Sequence, residues 1–339
     1  MPNNIEIIQL AKDMITGNCP AQFDDSKTNS KALRDMFIKA NGGSTELSIK
    51  TFRPGYAVFD IIQELIPVIV HEGFTGDEFW MQLCDYRNIA LGDQLEFISE
   101  DQSTLIVSDL SYGTSGIRRQ RLGEGQRYTI ETRLKGIKVY DELKRFMAGR
   151  VDFDKFVRAV AKAMQQRLYE DIYNALLGVT TSTRGLSSTY VYSGTFAEDK
   201  ALDIAEHVSA ANNGAKVIIV GTKKALRKLT MAVTSDQAKD DLYSTGYYGK
   251  FYGFDCIFMN QRHKAGTEEF LYKDDRLYFI AVGMDKPIKV VNVGEGLLWD
   301  DRNAGRPLTA DLTTNYTYAQ EFGVALAFNA KMGFYTISA

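Results

Sequence analysis

The sequence predicts an α+β fold of several lobes, and three observations predict it. Tyr128, Ile130, Thr132 and Leu134 alternate with Arg127, Thr129, Glu131 and Arg133, the period-two pattern of a half-exposed strand. Phe153, Phe156, Val157, Val160, Met164, Leu168, Ile172 and Leu176 then fall at helical spacing between a capping Asp152 and a terminating Gly178. That helix would run about 25 residues, or about 37 Å, which is long for a compact domain and suits a spine between lobes. Residues 200–285 follow as strand and helix runs in alternation, the pattern of a small α/β unit.

Taken in order, residues 1–55 predict an arm. Asn4 can cap a segment with Ile5, Ile8 and Ile15, and a second run from Ser30 carries Leu33, Met36 and Phe37 before stopping at Asn41-Gly42-Gly43. Two amphipathic pieces joined by a polar link have little of their own to pack against. Residues 56–92 predict a helical segment interrupted by Pro67 and Gly73. Residues 93–139 predict a two-stranded ribbon, in which Leu95–Leu110 pairs with the alternating strand across the glycine-rich tip SYGTSGIRRQRLGEGQ. A projecting hairpin is marginal in water, so this one calls for support from a neighbouring chain.

The segment 140–199 contains the spine helix. Within 200–285, a helix at Ala201–Ala211 precedes the buried-strand run Lys216–Val220, and Gly221-Thr222 opens a helix with Leu226, Leu229 and Val233. Strands are expected at Phe254–Met259, Phe270–Tyr272 and Leu277–Val282, with the polar, glycine-bearing stretch 236–250 as a loop at a contact surface. After Pro287 the chain returns to strands at Ile288–Val293, Tyr316–Phe328 and Phe334–Ile337, which fill 286–339.

Composition narrows the function. Apolar residues make up 45% and charged residues 24%, the balance of an ordinary folded protein, and the net charge of −3 carries no global basic bias for gripping nucleic acid. No apolar run is long enough to predict a transmembrane helix, and the first residues lack the pattern of a signal peptide. The three cysteines, Cys19, Cys84 and Cys256, are widely spaced and fit reduced thiols.

Catalytic constellations are hard to build from this chain. His71-Glu72 lacks the second histidine of a zinc-protease helix, and there is no CxxC pair, so no metal site and no cofactor are expected. Cys256 with His263 would make a nucleophile and base, but a strand cysteine beside a loop histidine is more simply core plus surface. VIIVGTKKAL has the strand–glycine–helix form of a phosphate site at Gly221-Thr222 without the spacing that makes such a motif specific. Asp300-Asp301 with Asp311 lacks the ligand spacing of a calcium loop. Arg118, Arg119 and Arg121, with Arg127 on the strand below, fit either a solvated hairpin tip or a clamp onto carboxylates of another subunit.

The order arm, ribbon, spine helix, α/β lobe and returning strands resembles the major capsid proteins of tailed phages, which share the Hong Kong 97-like fold. KVIIVGTKKALRKL, YSTGYYGKFYGFDCIFMNQ and YTYAQEFGVALAFNAKMGFYTI are similar to stretches of that family, including a G-x-x-x-G-F segment entering a strand. The resemblance implies an N-terminal arm at 1–55, a peripheral helical segment at 56–92 and an extended loop at 93–139. It further implies a peripheral domain with the spine helix at 140–199, an axial domain at 200–285 and peripheral strands at 286–339. By the same resemblance the chain forms pentamers and hexamers of an icosahedral shell around double-stranded DNA, contacted without sequence preference. The ribbon arginines would touch a neighbouring subunit, and Asp240, Tyr243, Tyr247 and Lys250 would face the capsomer centre.

A portal protein is implied as a partner. So is a separate scaffolding protein, because no long charged coiled-coil-like segment heads the chain. The implied location is the virion, assembled in the host cytoplasm, with no membrane partner and no enzymatic activity. The ribbon carries arginine where some relatives use a cross-linking lysine, with Lys135 near its base, which argues against a covalent network. Other readings are a cargo-enclosing compartment shell of the encapsulin type, a different virion protein using the ribbon to oligomerise, and an α/β enzyme binding phosphate at Gly221-Thr222.

Overall fold

The computed structural model describes residues 66–67, 70–71, 74–99, 105–110, 112, 116, 119–121, 126–142, 153–178, 186–230, 236–283, 285–300, 313–327 and 332–338. The arm at 1–55, Cys19, the Asp152 cap, Arg118, Val233, Asp301 and Asp311 lie outside the described residues. In chain order the elements are α1 (Glu78–Leu83), β1 (Cys84–Ile89), β2 (Glu96–Ser99), β3 (Gln126–Thr129), β4 (Arg133–Glu142), α2 (Phe153–Leu177) and β5 (Val191–Gly194). They continue with α3 (Glu198–Ala211), β6 (Lys216–Gly221), α4 (Lys223–Leu226), α5 (Asp236–Thr245), β7 (Lys250–Phe251), β8 (Phe254–Phe258), β9 (Arg276–Val282), β10 (Ile288–Asp300), β11 (Thr313–Leu326) and β12 (Gly333–Ile337).

Helix α2 is the expected 25-residue spine. It buries Val160, Ala161, Met164, Leu168, Tyr169, Ile172, Tyr173 and Leu176, spacings of three and four that make one continuous stripe. Two sheets share the core built on that stripe. The four-stranded sheet runs β1-β10-β11-β4, with β1 parallel to β10 and the other pairs antiparallel. Cys84, Ile288, Val290, Tyr318, Phe322 and Leu326 of this sheet join the core of α2. Lys135 on β4 pairs with Asp171 of α2 and sits 3.9 Å over the Phe322 ring.

Segments 84–89 and 96–134 correct the sequence reading in three ways. Cys84–Ile89 is a strand, not the tail of a helical segment, because its backbone pairs in a parallel ladder with β10 from Cys84–Ile288 to Ile89–Val293. Among the described residues the ribbon pairs over four positions, Glu96–Ser99 against Gln126–Thr129, and 105–110 lies outside any strand. Its base also lies on its own sheet rather than projecting, since Phe97 packs with Val291 and Val293, joined by Tyr128 and Ile130. Finally, the strand read through Leu134 is two strands in two sheets. The chain crosses between them at residues 130–132, where Thr132 bonds Glu321 and the Glu131 carbonyl closes on Gly323. A Cβ at Gly323 would lie 2.5 Å from that carbonyl oxygen, so only glycine allows the crossing.

The six-stranded sheet runs β5-β12-β9-β6-β8-β7. Its central strand β6 is buried on both faces, which explains the unbroken apolar run there. Ile218, Val220, Tyr278 and Phe334 face the α2 core, while Val217, Ile219, Leu277, Phe279 and Tyr335 lie under α3 and α4. Strand β12, grouped by sequence with the returning strands, pairs with β9 and β5 and completes the lobe's sheet. Three further readings are corrected. The stretch 236–250 is not all loop, because Asp236–Thr245 is helical and ends at Gly246, whose φ is 86°. Its apolar pattern is too thin to announce a helix.

The helix opened at Gly221-Thr222 stops at Leu226, where Lys228 and Leu229 N–H groups bond three residues back and tighten the turn. Leu229 is buried all the same. Phe270–Tyr272 forms only an isolated bridge, His263 to Phe270. Between β7 and β8, Tyr252 and Gly253 take φ of 45° and 91°, the two positive values of a tight hairpin turn. The G-x-x-x-G-F segment is therefore a hairpin that seats Phe251 in the core.

A buried lysine anchors an ion cluster on the other face of the four-stranded sheet. Lys289, only 2% exposed, donates to Asp85 at 3.1 Å and also to Asp285. Burial alone would raise the Asp85 carboxyl, yet hydrogen bonds from Arg87 and Lys289 outweigh it and hold it below its ordinary value. A carboxylate held low in the fold adds stability above its unfolded pKa of about 4 and loses it as pH falls through the lower folded value. Asp85→Asn should therefore cost about 2 kcal/mol at pH 7, since it leaves a buried ammonium with one carboxylate partner. The cost should shrink towards pH 3. Urea melts at the two pH values check this, and an undiminished cost at pH 3 would contradict it.

Candidate assembly surfaces

The positions that suggested catalysis are occupied structurally. Thr222 is buried and caps α4, its Oγ1 accepting from the Ala225 N–H at 3.3 Å and donating to Asp274 at 2.7 Å. A Cβ at Gly221 would already meet Leu277 at 3.0 Å, so the turn has no open cradle above it. Cys84 and Cys256 are buried thiols, and burial pushes Cys256 up to about 12 and Cys84 further, away from thiolate chemistry. His263 is exposed and stacks on Phe270 at 5.4 Å. Among the described residues no group of three or more His, Cys, Asp or Glu could hold a metal ion, and no helix is long and apolar enough to cross a membrane.

The surfaces carry more information than the interior. Residues 105–110 belong to no helix or strand and are exposed, and Gln120 reaches across to bond both the N–H and the carbonyl of Ile106, at 2.7 and 2.6 Å. One side chain thus does the work of a strand partner at Ile106. Along it Leu105, Ile106, Val107 and Leu110, and beyond them Tyr112, are exposed, Val107 to 93%. An apolar run of this kind in water marks a contact site. Sequence reasoning assigned these side chains to a strand and missed the strip; five large apolar residues in eight positions were the available signal.

Of the ribbon arginines, Arg119 and Arg121 are exposed beside Gln120, and Arg127 forms an exposed 3.7 Å ion pair with Glu96 on the opposite strand. The lobe residues do not form one cluster. Asp240 and Tyr243 are exposed on α5, Tyr243 to 95%. Tyr247 turns inward against the Phe258 ring at 5.7 Å, where burial raises its hydroxyl pKa. Lys250 lies on β7, 3.8 Å from Asp255, a carboxylate shared with Lys216. Beside α5 opens a groove of about 730 Å³ bordered by Lys223, Lys224, Arg227, Leu242, Tyr243 and Phe270.

A family model described as "SPbeta prophage-derived putative capsid protein YonB" matches residues 7–336. The chain belongs to this capsid-protein family. No curated protein matches the sequence of this YonB-family chain. Among solved structures, the capsid of a native GTA particle is similar at 12% identity and a TM-score of 0.52, covering 76% of this chain and 89% of that one. The virus-like particle from Pyrococcus furiosus is similar at 12% identity and a TM-score of 0.45, covering 83% and 99%. The mature capsid of bacteriophage PhiM1 is similar at 9% identity and a TM-score of 0.47, covering 77% and 87%. At such identities the likeness speaks to fold: the YonB-family chain has the Hong Kong 97-like fold of tailed-phage major capsid proteins. Family and fold are those of structural proteins, not of enzymes.

Proposed function

We propose that the chain self-assembles through pentamers and hexamers into the icosahedral shell of a tailed phage, enclosing double-stranded DNA that it contacts without sequence preference. The observation that carries this reading is the exposed apolar strip of Leu105, Ile106, Val107, Leu110 and Tyr112, bonded at Ile106 by Gln120, above a base that is packed on its own sheet. An apolar strip left in water gains by burial against a second copy of the chain. On this reading 93–139 is the extended loop lying over a neighbouring subunit, 1–55 is an arm reaching across others, and α2 is the spine of the peripheral domain. Residues 200–285 form the axial domain, completed by β5 and β12, with Asp240 and Tyr243 towards the capsomer centre. A scaffolding protein, a portal protein, assembly in the host cytoplasm and residence in the virion follow from the same reading.

Electron microscopy of the purified chain, with and without a co-expressed scaffolding partner, is the test. Rings of five and six or closed shells are expected, with nuclease-protected DNA in particles from infected cells. A monomer or dimer under every condition would overturn the proposal, and shells filled with a protein cargo and no nucleic acid would redirect it to an enclosing compartment. Replacing Arg118, Arg119 and Arg121 by alanine should weaken assembly roughly tenfold, the effect of losing about 1–2 kcal/mol of charge-assisted bonds per contact. The circular dichroism of the monomer should not change, and normal assembly by that variant would limit the arginines to solvation.

A further inference from the structure

Two surfaces of the lobe carry opposite charge, and among the described residues each is only partly neutralised. Helix α3 buries Ala201, Ile204, Ala205 and Val208, and on its opposite side exposes Asp199, Asp203 and Glu206. These acids sit at i, i+4 and i+7, a single stripe about 10 Å long. Only Asp203 has a cationic partner among the described residues, Lys200 at 3.2 Å. Around α4, Lys223, Lys224, Arg227 and Lys228 are all exposed within six residues. Lys224 is 3.2 Å from Asp274, while Lys223, Arg227 and Lys228 make no ion pair with a described residue.

For a lone chain the second arrangement is unfavourable. Like charges four residues apart repel, and lysines in a first helical turn oppose the helix dipole. The basic cluster borders the groove of about 730 Å³, whose lining also includes Leu229, Leu242 and Phe270. That mixture decides the class of occupant. Charge complementarity points to a second copy: the acidic stripe of α3 supplies the anions that the rim lacks, and the apolar lining keeps water away from the pairs they form. The acidic stripe shares no residue with the groove, so one copy can offer each surface to a different neighbour. Such a head-to-tail contact generates a ring when its rotation closes.

We infer that in each capsomer the Asp199–Asp203–Glu206 stripe of one copy docks on the Lys223–Lys224–Arg227 rim of the next. This rests on the capsid reading and specifies which faces meet. The spacing suits it, since Asp199 to Asp203 and Lys223 to Arg227 are both one helical turn of about 6 Å.

Charge reversal on the full chain tests it. One variant carries Lys223→Glu, Lys224→Glu and Arg227→Glu; a second carries Asp199→Lys, Asp203→Lys and Glu206→Lys; a third combines all six. Each half-reversed variant should leave at least tenfold less protein in rings or shells than the wild type, and the combined variant should recover. A mixture of the two half-reversed chains should close rings of six and none of five, because alternation around a ring needs an even number. Circular dichroism melts confirm that each chain is folded. Assembly of a half-reversed variant at the wild-type level overturns the inference, as does a folded combined variant that fails to recover. Unchanged assembly with loss of co-purifying nucleic acid would assign the basic rim to nucleic acid instead. A wild-type chain that forms no rings would overturn the capsid reading itself, and the inference with it, so the two failures are distinguishable.

Discussion

Trp80→Ala should lower the unfolding free energy by about 3–5 kcal/mol, the range for removing a fully buried tryptophan. Trp80 is 2% exposed and its ring meets Tyr169 at 5.9 Å and Tyr272 at 6.3 Å. Those contacts join three parts of the chain: α1, the spine helix α2, and the loop at 261–274 that belongs to the lobe. The same junction is tied by polar bonds. Tyr169 donates to Asp77 at 3.1 Å, Arg262 lies 4.0 Å over the Tyr169 ring, and the Lys273 N–H donates to the Tyr173 hydroxyl at 2.6 Å. Removing the indole leaves a cavity among rigid rings that cannot collapse to fill it. Urea unfolding should therefore show both a lower midpoint and a broader transition, as lobe and spine lose cooperativity. Trp80→Phe, keeping a ring in the site, should retain more than half of the stability. A loss below 1 kcal/mol in Trp80→Ala would mean that the junction is held by the polar bonds.

That junction also shows what the sequence could and could not reveal. The spine was legible because one helix face needs only its own spacing, and Val160 through Leu176 declared it. The lobe's central strand was legible for a similar reason, since a strand buried on both faces reads as a bare apolar run at Val217–Val220. What could not be read was pairing at long separation. Strand β12 joins β9 across more than fifty residues, and nothing local distinguishes Phe334–Ile337 as a member of that sheet. The break between β3 and β4 was hidden by alternation that continues unbroken from Arg127 to Leu134; only the partners change. Helix α5 was missed because polar residues dominate Asp236–Thr245. Among the surface residues, sequence reasoning weighed charge at the ribbon tip and overlooked the apolar strip beside it, because alternation and exposure cannot be separated without the fold.

Placing aspartate at Val107 and Leu110 together should abolish shell assembly while leaving the monomer as stable as the wild type. Both side chains are exposed in the isolated chain, Val107 to 93% and Leu110 to 53%, so their replacement removes nothing from its core. Exposed substitutions of this kind move monomer stability by about 0.5 kcal/mol or less. In the assembled shell the same positions are proposed to be covered. Each apolar side chain buried there contributes about 1.5–3 kcal/mol, and a carboxylate left dry in its place costs more. The pair should therefore weaken each subunit contact by at least about 4 kcal/mol, roughly a thousandfold in association. Because a closed shell repeats the contact at every subunit, no detectable shells are expected in sedimentation or electron microscopy at micromolar protein. This effect should exceed that of the arginine-to-alanine triple, since exposed charges at a contact mainly set its approach and register. The ranking is itself decisive. If the arginine triple abolished assembly and the aspartate pair did not, charge at the ribbon tip would be the source of the contact energy, and the apolar strip would lie outside it.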